Sequence, residues 1–521
     1  MAKVGKNILD NLTTGMYADS KVIYREYIQN ACDQIDLAVK QGLLASKEDG
    51  QVVIYLDDKK RYISIHDNAT GVPSDVFVND LGDIANSNKI IGENKGFRGI
   101  GRLCGLAYCK TLTFTTSYKG ESVKSIMTCD AQKMREMLYE SKKYTLDEIW
   151  DAIVKFSTKP EDPDKHYFEV ELFDINNENT DLLNVSLIRD YLSFVAPVPY
   201  KNTFFLSSQI YEHARKIGYE IDEYCIKVNG AQLFKEYTTR LKKEDKSSSL
   251  KTYDEITKLE PKDFYDENGN LIAWMWYGLS RFEKMIPIAN KMRGLRLRCG
   301  NIQLGNDDSL QGLFKEHRGN YYFVGEVFAV DKRLIPNSQR NYFNENDTRV
   351  LFETLLHNYF LDVLHHLYYG ANKINNAYKK QENYVSIVAE FEKKRKTGGF
   401  VDEDEKQRLE VSVATAQKAA EDARKELKKY EGIGDDTPLG EVHKQIQKKF
   451  DATKLTKKAS KAEIKPDSPT SKKKTSYLTD SLSKLSRKER TMVRTILSII
   501  TDVAPKDVAE EIIEKIIEAL K

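Results

Sequence analysis

Residues 25–36 read REYIQNACDQID, and this stretch decides the fold. Glu26, Asn30 and Asp33 stand at spacings of four and seven residues, so an α-helix places them on one face among apolar neighbours. Such a face can hold a metal ion and a water molecule together. Taken alone, the same pattern also fits the solvated side of an ordinary helix, so its meaning depends on the motifs that follow.

Two motifs follow this helix along the chain. YISIHDNATGV, residues 62–72, predicts a short strand that ends in Asp67 and Gly71. The glycine run GFRGIGRL, residues 96–103, comes about twenty-five residues after Gly71. These blocks give the helix a context that a solvated face alone would not have.

The glycine run predicts an anion-binding loop. Gly96, Gly99 and Gly101 offer backbone N–H groups without a Cβ in the way, and the apolar residues up to Ala107 predict a helix whose N-terminus faces phosphate. It is not a P-loop, because Arg and Leu occupy the two positions that require Lys and Ser or Thr. It is not a dinucleotide fingerprint either, because the residues before it do not form a strand pattern. A flexible glycine loop without a ligand is the alternative.

The three blocks together resemble the motifs of the GHKL ATPase superfamily, which includes gyrase, heat-shock chaperones, histidine kinases and MutL. The resemblance implies ATP and Mg²⁺ as cofactors, with Glu26 as the general base and Asn30 as the magnesium ligand. It implies that Asp67 accepts a hydrogen bond from the adenine amino group while Gly71 lets the backbone pass close to the base. Asp33 belongs to the same ATP-binding face. The family pattern is Asp-x-Gly-x-Gly, and this chain has Ala69 in place of the first glycine.

The segment between Asp67 and the glycine run resembles the nucleotide lid of heat-shock chaperones and, in its shortness, that of MORC-type ATPases. It reads NDLGDIANSNKIIGENK, residues 79–95. Two strand patterns, LTFTTSY and VKSIMTCD, follow the glycine run. The remaining residues that the resemblance assigns to ATP are Asn86, Ser87, Lys89, Phe97, Arg98, Ile100 and, in the adenine pocket, Thr128.

A second domain is expected after the ATPase domain of residues 1–170, because the resemblance implies a transducer that completes the site. Residues 181–370 contain four strand patterns, EYCIKVNG, LIAWMWYGL, GLRLRCGNIQLG and YYFVGEVFAV. The last leads into DKRLIPNSQRNYF, which resembles the transducer's catalytic loop. Arg340, with Gln339 as second choice, is the candidate for contact with the terminal phosphate. The alternative is that Arg340 caps or solvates the helix that begins near Glu345.

Composition agrees with two or three folded domains in 521 residues. The 81 basic and 79 acidic residues nearly cancel, so net charge argues neither for nor against nucleic acid. The six cysteines lack metal-ligand spacing, which predicts reduced thiols in a cytoplasmic protein. The sequence shows no leader pattern and no membrane span, so no membrane partner is expected.

The C-terminal third predicts three further segments. Residues 371–431 predict a helical hairpin or coiled coil, residues 432–476 a basic disordered linker, and residues 477–521 a small helical segment. A Lys-rich linker is a solvating tether or a non-specific nucleic-acid contact. The apolar stripe from Val508 to Leu520 predicts pairing with a second copy or another protein, with packing onto the protein's own body as the alternative.

These observations predict an α+β protein: a Bergerat α/β sandwich ATPase domain, an α/β transducer, a coiled-coil arm and C-terminal helices. We expect an ATP-hydrolysing homodimeric clamp that acts on a protein or nucleic-acid client, closest in layout to prokaryotic MORC-like ATPases. The alternative is a non-catalytic ATP-gated scaffold, conceivable in a defence system. A histidine kinase is disfavoured because no helical segment with a phosphoacceptor histidine precedes the motifs, and a gyrase would need cleavage domains.

Overall fold

The computed structural model describes residues 5–13, 15, 19–83, 101–245, 248–397, 399–434, 436–450 and 477–521. The chain divides into two compact units. The first comprises Met1–Leu279 and Met285–His365, and the second comprises Ser280–Lys284 and His366–Lys521. Among the described residues, no helix combines the length and the apolar character that crossing a membrane requires.

The first unit begins with an eight-stranded sheet in the order β5-β4-β3-β6-β2-β1-β7-β8. All neighbouring strands are antiparallel except β1 and β7, which are parallel. The strands are β1 (Gln51–Asp57), β2 (Tyr62–Asp67), β3 (Thr111–Ser117), β4 (Val123–Asp130), β5 (Val154–Pro160), β6 (Tyr167–Phe173), β7 (Cys225–Val228) and β8 (Ala231–Gln232).

The helices of the first unit are α1 (Asn7–Thr13), α2 (Val22–Lys40), α3 (Phe77–Gly82), α4 (Ala131–Tyr139), α5 (Leu146–Ile153), α6 (Val185–Val195), α7 (Ser207–Lys216) and α8 (Asp347–Tyr359). The central helix is α2, which forms because apolar residues recur along it at helical spacing. It buries that face against β1 and β2, whose inward side chains alternate with outward ones as a half-buried strand requires. This packing fixes the helix that carries Glu26.

A second sheet follows in the same unit, in the order β11-β12-β15-β13-β14. A separate hairpin precedes it. The strands are β9 (Arg240–Glu244) and β10 (Leu250–Glu255) in the hairpin, then β11 (Lys258–Tyr265), β12 (Leu271–Leu279), β13 (Gly294–Cys299), β14 (Ile302–Gln303) and β15 (Val324–Ala329). The strands β12 and β15 lie in the middle and are almost wholly buried, which explains their largely apolar sequences, and Glu326 is the one charged residue in them.

The sequence places the strand pattern EYCIKVNG in the transducer domain, with the three patterns of the second sheet. In the structure it does not join that sheet. It forms β7, whose Gln51–Cys225 and Ile54–Val228 pairings add it to the first sheet. The segment after β8 then enters the second sheet's core, where Lys235 meets Glu326 at 3.1 Å with both side chains fully buried. The strands of the first sheet therefore extend to residue 232, past residue 181, where the sequence predicts the second domain to begin.

The second unit is helical. Its helices are α9 (His365–Thr397), which begins one residue inside the first unit, α10 (Glu403–Lys428), α11 (Pro438–Phe450), α12 (Arg487–Val503) and α13 (Lys506–Leu520). α9 and α10 form an antiparallel hairpin, because Lys394 pairs with Glu405 near the turn while Lys373 pairs with Glu426 far from it. The predicted combination of an N-terminal sheet domain with a helical C-terminal region is confirmed.

The structure differs from one prediction for this region and bears on a second. Residues 438–450 are not a disordered linker, because Val442, Ile446 and Phe450 recur at helical spacing and are buried on α11. The stripe on α13 is covered in part, as the alternative predicts: Ile513, Ile516, Ile517 and Leu520 pack with α12 inside the unit, whereas Val508 and Ile512 are 43% and 37% exposed. Residues 451–476 of the predicted linker lie outside the described residues.

Candidate active site

The site begins on α2, where a polar face is buried rather than solvated. Glu26 is 5% exposed and Asp33 is 6% exposed, while Asn30 between them is half-buried. An ordinary solvated helix face would leave such side chains open to water, because carboxylates are seldom buried unless they have a partner. The burial therefore favours the interpretation of this face as a site.

Arg340 supplies a partner for Glu26. Its Nε atom lies 3.3 Å from Oε1 of Glu26, and its side chain is only 8% exposed. The capping alternative does not hold, because the side chain of Asn346 caps α8 by accepting a hydrogen bond from the N–H of Arg349 at 2.8 Å. Sequence positions far apart are thus joined in a buried ion pair.

Arg25 is a site residue that the motif analysis missed. Its NH2 atom donates to Oε1 of Glu26 at 3.3 Å and to the carbonyl of Gln339 at 3.2 Å, and its NH1 atom donates to the carbonyl of Arg340 at 3.4 Å. It therefore fastens the Arg340 loop to α2. The signal in the sequence was a charged residue directly beside the candidate base, on the buried part of the helix.

Gln339, the second choice for contact with phosphate, points elsewhere. Its side-chain oxygen accepts a hydrogen bond from Nδ2 of Asn341 at 3.0 Å, and only its carbonyl meets Arg25. The structure therefore brings Arg340 and not the Gln339 side chain to Glu26.

Gly101 connects the glycine run with the same carboxylate. A Cβ atom at this position would lie 2.6 Å from Oε2 of Glu26, so a larger residue would push the Glu26 carboxylate from its place. It opens a 3₁₀ helix, Gly101–Ala107, in place of the predicted α-helix. The hydroxyl of Tyr27 holds this segment by accepting from the N–H of Gly105 at 3.1 Å and donating to the carbonyl of Arg102 at 3.0 Å.

Asp67 lies at the end of β2 and is 4% exposed. Burial raises the pKa of its carboxyl to about 7, although hydrogen bonds from the N–H groups of Ala69 and Phe168 act in the opposite direction. The N–H of Ala69 donates to Oδ1 at 3.0 Å, so the alanine that departs from the family pattern still supports the carboxylate. Such a buried acceptor suits a ligand that brings its own N–H donor.

Gly71 makes the turn after Asp67 possible. Its φ is +69°, and a Cβ atom there would lie 1.9 Å from the backbone oxygen of Ser117 on β3. Only glycine allows this crossing of two backbones. The loop is further held by a 2.6 Å hydrogen bond from the Thr70 hydroxyl to the side chain of Gln34 on α2.

Thr128 does not reach Asp67. Its strand β4 is three steps from β2 in the sheet order, which at the usual strand spacing is about 14 Å. The neighbour of Asp67 is Phe168 on β6. Beside that strand, Nδ1 of His166 lies 2.6 Å from the carbonyl of Ala69, so β6 and not β4 lines this end of the site.

Eight of the assigned residues cannot be placed. They lie outside the described residues and are Asn86, Ser87, Lys89, Gly96, Phe97, Arg98, Gly99 and Ile100.

Asn30 fits the modest demand that a phosphate-bound magnesium ion makes on the protein. Within the described residues, no group of three His, Cys, Asp or Glu side chains could hold a metal ion by itself. A single neutral amide oxygen suits Mg²⁺ when phosphates and waters supply the other ligands. The donor set therefore fits an ion that arrives with a nucleotide.

Each cysteine is in the described part of the chain, and none of them forms a disulfide.

A family model and several known proteins are similar to part of this chain. Residues 21–159 match the family described as "Histidine kinase-, DNA gyrase B-, and HSP90-like ATPase". The chaperone protein HtpG of Methylorubrum populi is 32% identical over 107 residues, which are 19% of this chain and 17% of the relative. HtpG of Orientia tsutsugamushi is 33% identical over 91 residues, 16% of this chain and 14% of the relative.

A third relative, HtpG of Clostridium acetobutylicum, is 29% identical over 102 residues, which are 18% of this chain and 16% of the relative. The chain thus covers only 14% to 17% of the length of these three proteins. The likeness extends over a small part of these chaperones and not over a whole one.

Proposed function

We propose that this protein, whose residues 21–159 form an ATPase domain of the GHKL superfamily, binds ATP in that domain and hydrolyses it with help from Arg340. The observation that carries the proposal is the buried 3.3 Å contact between Glu26 and Arg340. It joins a carboxylate of the family's domain to a cation from a loop beyond the second sheet. A base and a cation held together out of water are the two groups that phosphate hydrolysis needs.

In the proposed reaction, Glu26 accepts a proton from a water molecule as that water's oxygen attacks the terminal phosphorus of ATP. The bond between this phosphorus and the bridging oxygen breaks, and ADP leaves with the electron pair. Arg340 stabilises the charge on the terminal phosphate oxygens. Before ATP binds, Arg25 and Arg340 both contact the Glu26 carboxylate, so a terminal phosphate would compete with Glu26 for Arg340 and thereby free the base.

Asp67 and Asn30 hold the two ends of the nucleotide in this proposal. Asp67 accepts a hydrogen bond from the adenine amino group at the end of β2. Asn30 contributes its amide oxygen to a magnesium ion that, when bound, offsets the charge of the phosphates. The residues outside the described part of the chain are assigned to ATP by resemblance alone.

We further propose a homodimeric clamp that acts on a protein client. A row of exposed apolar side chains on α12, formed by Met492, Ile496, Ile499 and Val503, supports pairing with a second copy, because these residues recur on one helix face. This face replaces the α13 stripe as the proposed contact. A MORC-like layout, and non-specific nucleic-acid contact through the Lys-rich residues after α11, stay predictions.

The alternative function is an ATP-gated scaffold without catalysis. It would use the Asp67 pocket and would not need a base. The retention of Glu26, buried against two arginines and against Gly101, favours hydrolysis over this alternative.

Two isosteric variants test the proposal. Glu26→Gln should bind ATP and lose hydrolysis by about 10²- to 10⁴-fold, because the amide cannot accept the proton. Asp67→Asn should lose ATP binding, because its amide NH₂ is a donor and would face the amino group of adenine, which is also a donor. Calorimetry measures binding, and phosphate release measures hydrolysis in the presence of Mg²⁺.

Glu405→Gln is the matched control, since Glu405 is a buried glutamate that pairs with Lys394 in the second unit. It should leave both activities unchanged. Hydrolysis at the normal rate by Glu26→Gln would refute the assignment of the base, and an inactive wild-type protein that still binds ATP would support the scaffold.

A further inference from the structure

The Arg340 loop has a backbone conformation that needs support. The φ of Arg340 is +53°, in the left-handed region that non-glycine residues seldom adopt. Its carbonyl accepts two hydrogen bonds, one from the N–H of Gly305 at 3.0 Å and one from NH1 of Arg25 at 3.4 Å. Strain of this kind persists only where the surroundings fix the residue. The Gly305 amide therefore holds the loop from the side of the second sheet.

Gly305 is itself fixed in an unusual position. Its φ is +62°, and a Cβ atom there would lie 2.1 Å from Oγ of Ser309 and 2.6 Å from the backbone oxygen of Asn341. The glycine allows the two backbones to approach closely enough for the hydrogen bond to Arg340. A change at Gly305 would disturb several contacts at once, so it cannot reveal what orients this amide.

Gln303 holds the carbonyl of Gly305, the residue whose N–H donates to Arg340. It ends β14, is 3% exposed, and its Nε2 atom donates to the carbonyl of Gly305 at 3.0 Å. Its Oε1 atom accepts from NH1 of Arg296 on β13 at 2.9 Å. Both ends of the amide are thus used, and Arg296 fixes which end faces Gly305, because a guanidinium can only donate.

We infer that Gln303 is a positioning residue for the Arg340 loop, an inference that rests on the proposed ATPase function. Arg296 and Gln303 hold the carbonyl of Gly305, the N–H of the same residue donates to the carbonyl of Arg340 through the preceding peptide, and the Arg340 side chain reaches Glu26. Gln303 touches neither Glu26 nor the nucleotide site. It sets the geometry of a group that does, and geometry errors of about 1 Å can cost about 10²-fold in rate.

Gln303→Glu is the discriminating variant. The carboxylate keeps the acceptor for Arg296 but places an oxygen against the carbonyl of Gly305, where a donor is required. We expect kcat for ATP hydrolysis to fall between about ten- and a hundredfold, with the ATP dissociation constant unchanged within about twofold. Hydrogen exchange of peptides that cover residues 331–343 should become faster, whether or not ATP is hydrolysed.

Asn320→Asp is the matched control. Asn320 is a fully buried amide in the same part of the chain, and it braces backbone in the same way: Nδ2 donates to the carbonyl of Asp307 at 2.7 Å, and Oδ1 accepts from the N–H of Leu295 at 2.9 Å. The control should lose a comparable amount of stability. Its kcat and its exchange over residues 331–343 should match the wild type below the unfolding temperature.

A double-mutant cycle with Arg340→Ala shows whether Gln303 acts through Arg340. In the Arg340→Ala background, Gln303→Glu should cause no further loss of kcat. Unchanged exchange over residues 331–343 in Gln303→Glu would overturn the inference, and so would an equal loss of kcat with and without Arg340. A wild-type protein that does not hydrolyse ATP would refute the proposed function, while the exchange result would still decide whether Gln303 positions the loop.

Discussion

Two buried carboxyls dominate the site at the scale of single residues, and their surroundings differ. Glu26 meets two guanidinium groups at 3.3 Å. Among the described residues, backbone N–H groups support Asp67, and burial raises its pKa to about 7. A carboxylate without a cation in a dry pocket costs stability when it is ionised, which is the state that accepts a hydrogen bond from adenine.

This difference predicts how stability depends on pH. The folded pKa of Asp67, about 7, lies above the ordinary value of 3.8, so the folded state binds the proton more tightly than the unfolded state. Stability from this group should therefore fall as pH rises from about 4 through 7, and stay low above 7. Asp67→Asn cannot ionise and should be more stable than the wild type at pH 8, by up to about 4 kcal/mol.

Urea unfolding at several pH values measures this effect. The three tryptophans, Trp150, Trp274 and Trp276, all lie in the first unit, so their fluorescence follows that unit. The stability difference between Asp67→Asn and wild type should shrink as the pH is lowered from 8 to 5. Parallel profiles for the two proteins would show that Asp67 has an ordinary pKa.

At the scale of elements, the local spacing of apolar residues predicted helices and strands well, whereas amino-acid composition predicted them poorly. The helix around Glu26 and the strand before Asp67 follow from spacing within a few neighbouring residues. The helix α11 was missed because its many lysines suggested a disordered tether, although Val442, Ile446 and Phe450 repeat every four residues. The free energy gained by burying these three apolar side chains on α11 outweighs the repulsion between the lysines on its solvent-facing side.

Pairing between distant strands could not be read from the sequence. The sequence pattern of β7 is like that of the strands of the second sheet that follow it. In the structure, β7 instead pairs in parallel with β1 of the first sheet. The family resemblance assigns Thr128 to the adenine pocket, but sheet order places β3 and β6 between its strand and Asp67. Sheet order depends on long-range packing, which a single sequence pattern does not encode.

The exposed face of α12 gives a prediction at this scale. Ile499 and Val503 are 56% and 80% exposed, and a second copy would cover them. The double change Ile499→Glu and Val503→Glu should convert a dimer to a monomer without unfolding the helix, because burying charges against an apolar face is costly. Light scattering measures the mass. Val411→Glu, at an exposed apolar position on α10, should remain dimeric.

A protein that is monomeric before any substitution would remove self-association through α12 from the proposal. A dimer that survives the double change would place the contact elsewhere on the chain.

At the scale of the whole molecule, the site depends on two parts of the chain that lie far apart in sequence. Glu26 comes from the first long helix, and Arg340 comes from the loop between β15 and α8. Motif reasoning identified both residues, because each belongs to a recognisable stretch. It could not identify Arg25 or Gln303, because their importance lies in contacts with backbone carbonyls that only the folded chain brings near.

The most direct test of this two-part site compares two arginines of one loop. Arg340→Ala should bind ATP with nearly unchanged affinity and lower kcat by about 10²- to 10³-fold, because the cation acts mainly on charge that develops in the transition state. Arg333→Ala removes an exposed arginine whose ion pair, within the described residues, is with nearby Asp331, and it should leave both quantities unchanged. Single-turnover hydrolysis with calorimetric ATP binding supplies the comparison. Wild-type turnover by Arg340→Ala would contradict the account, and a slow Arg340→Ala beside a normal Arg333→Ala is the result it predicts.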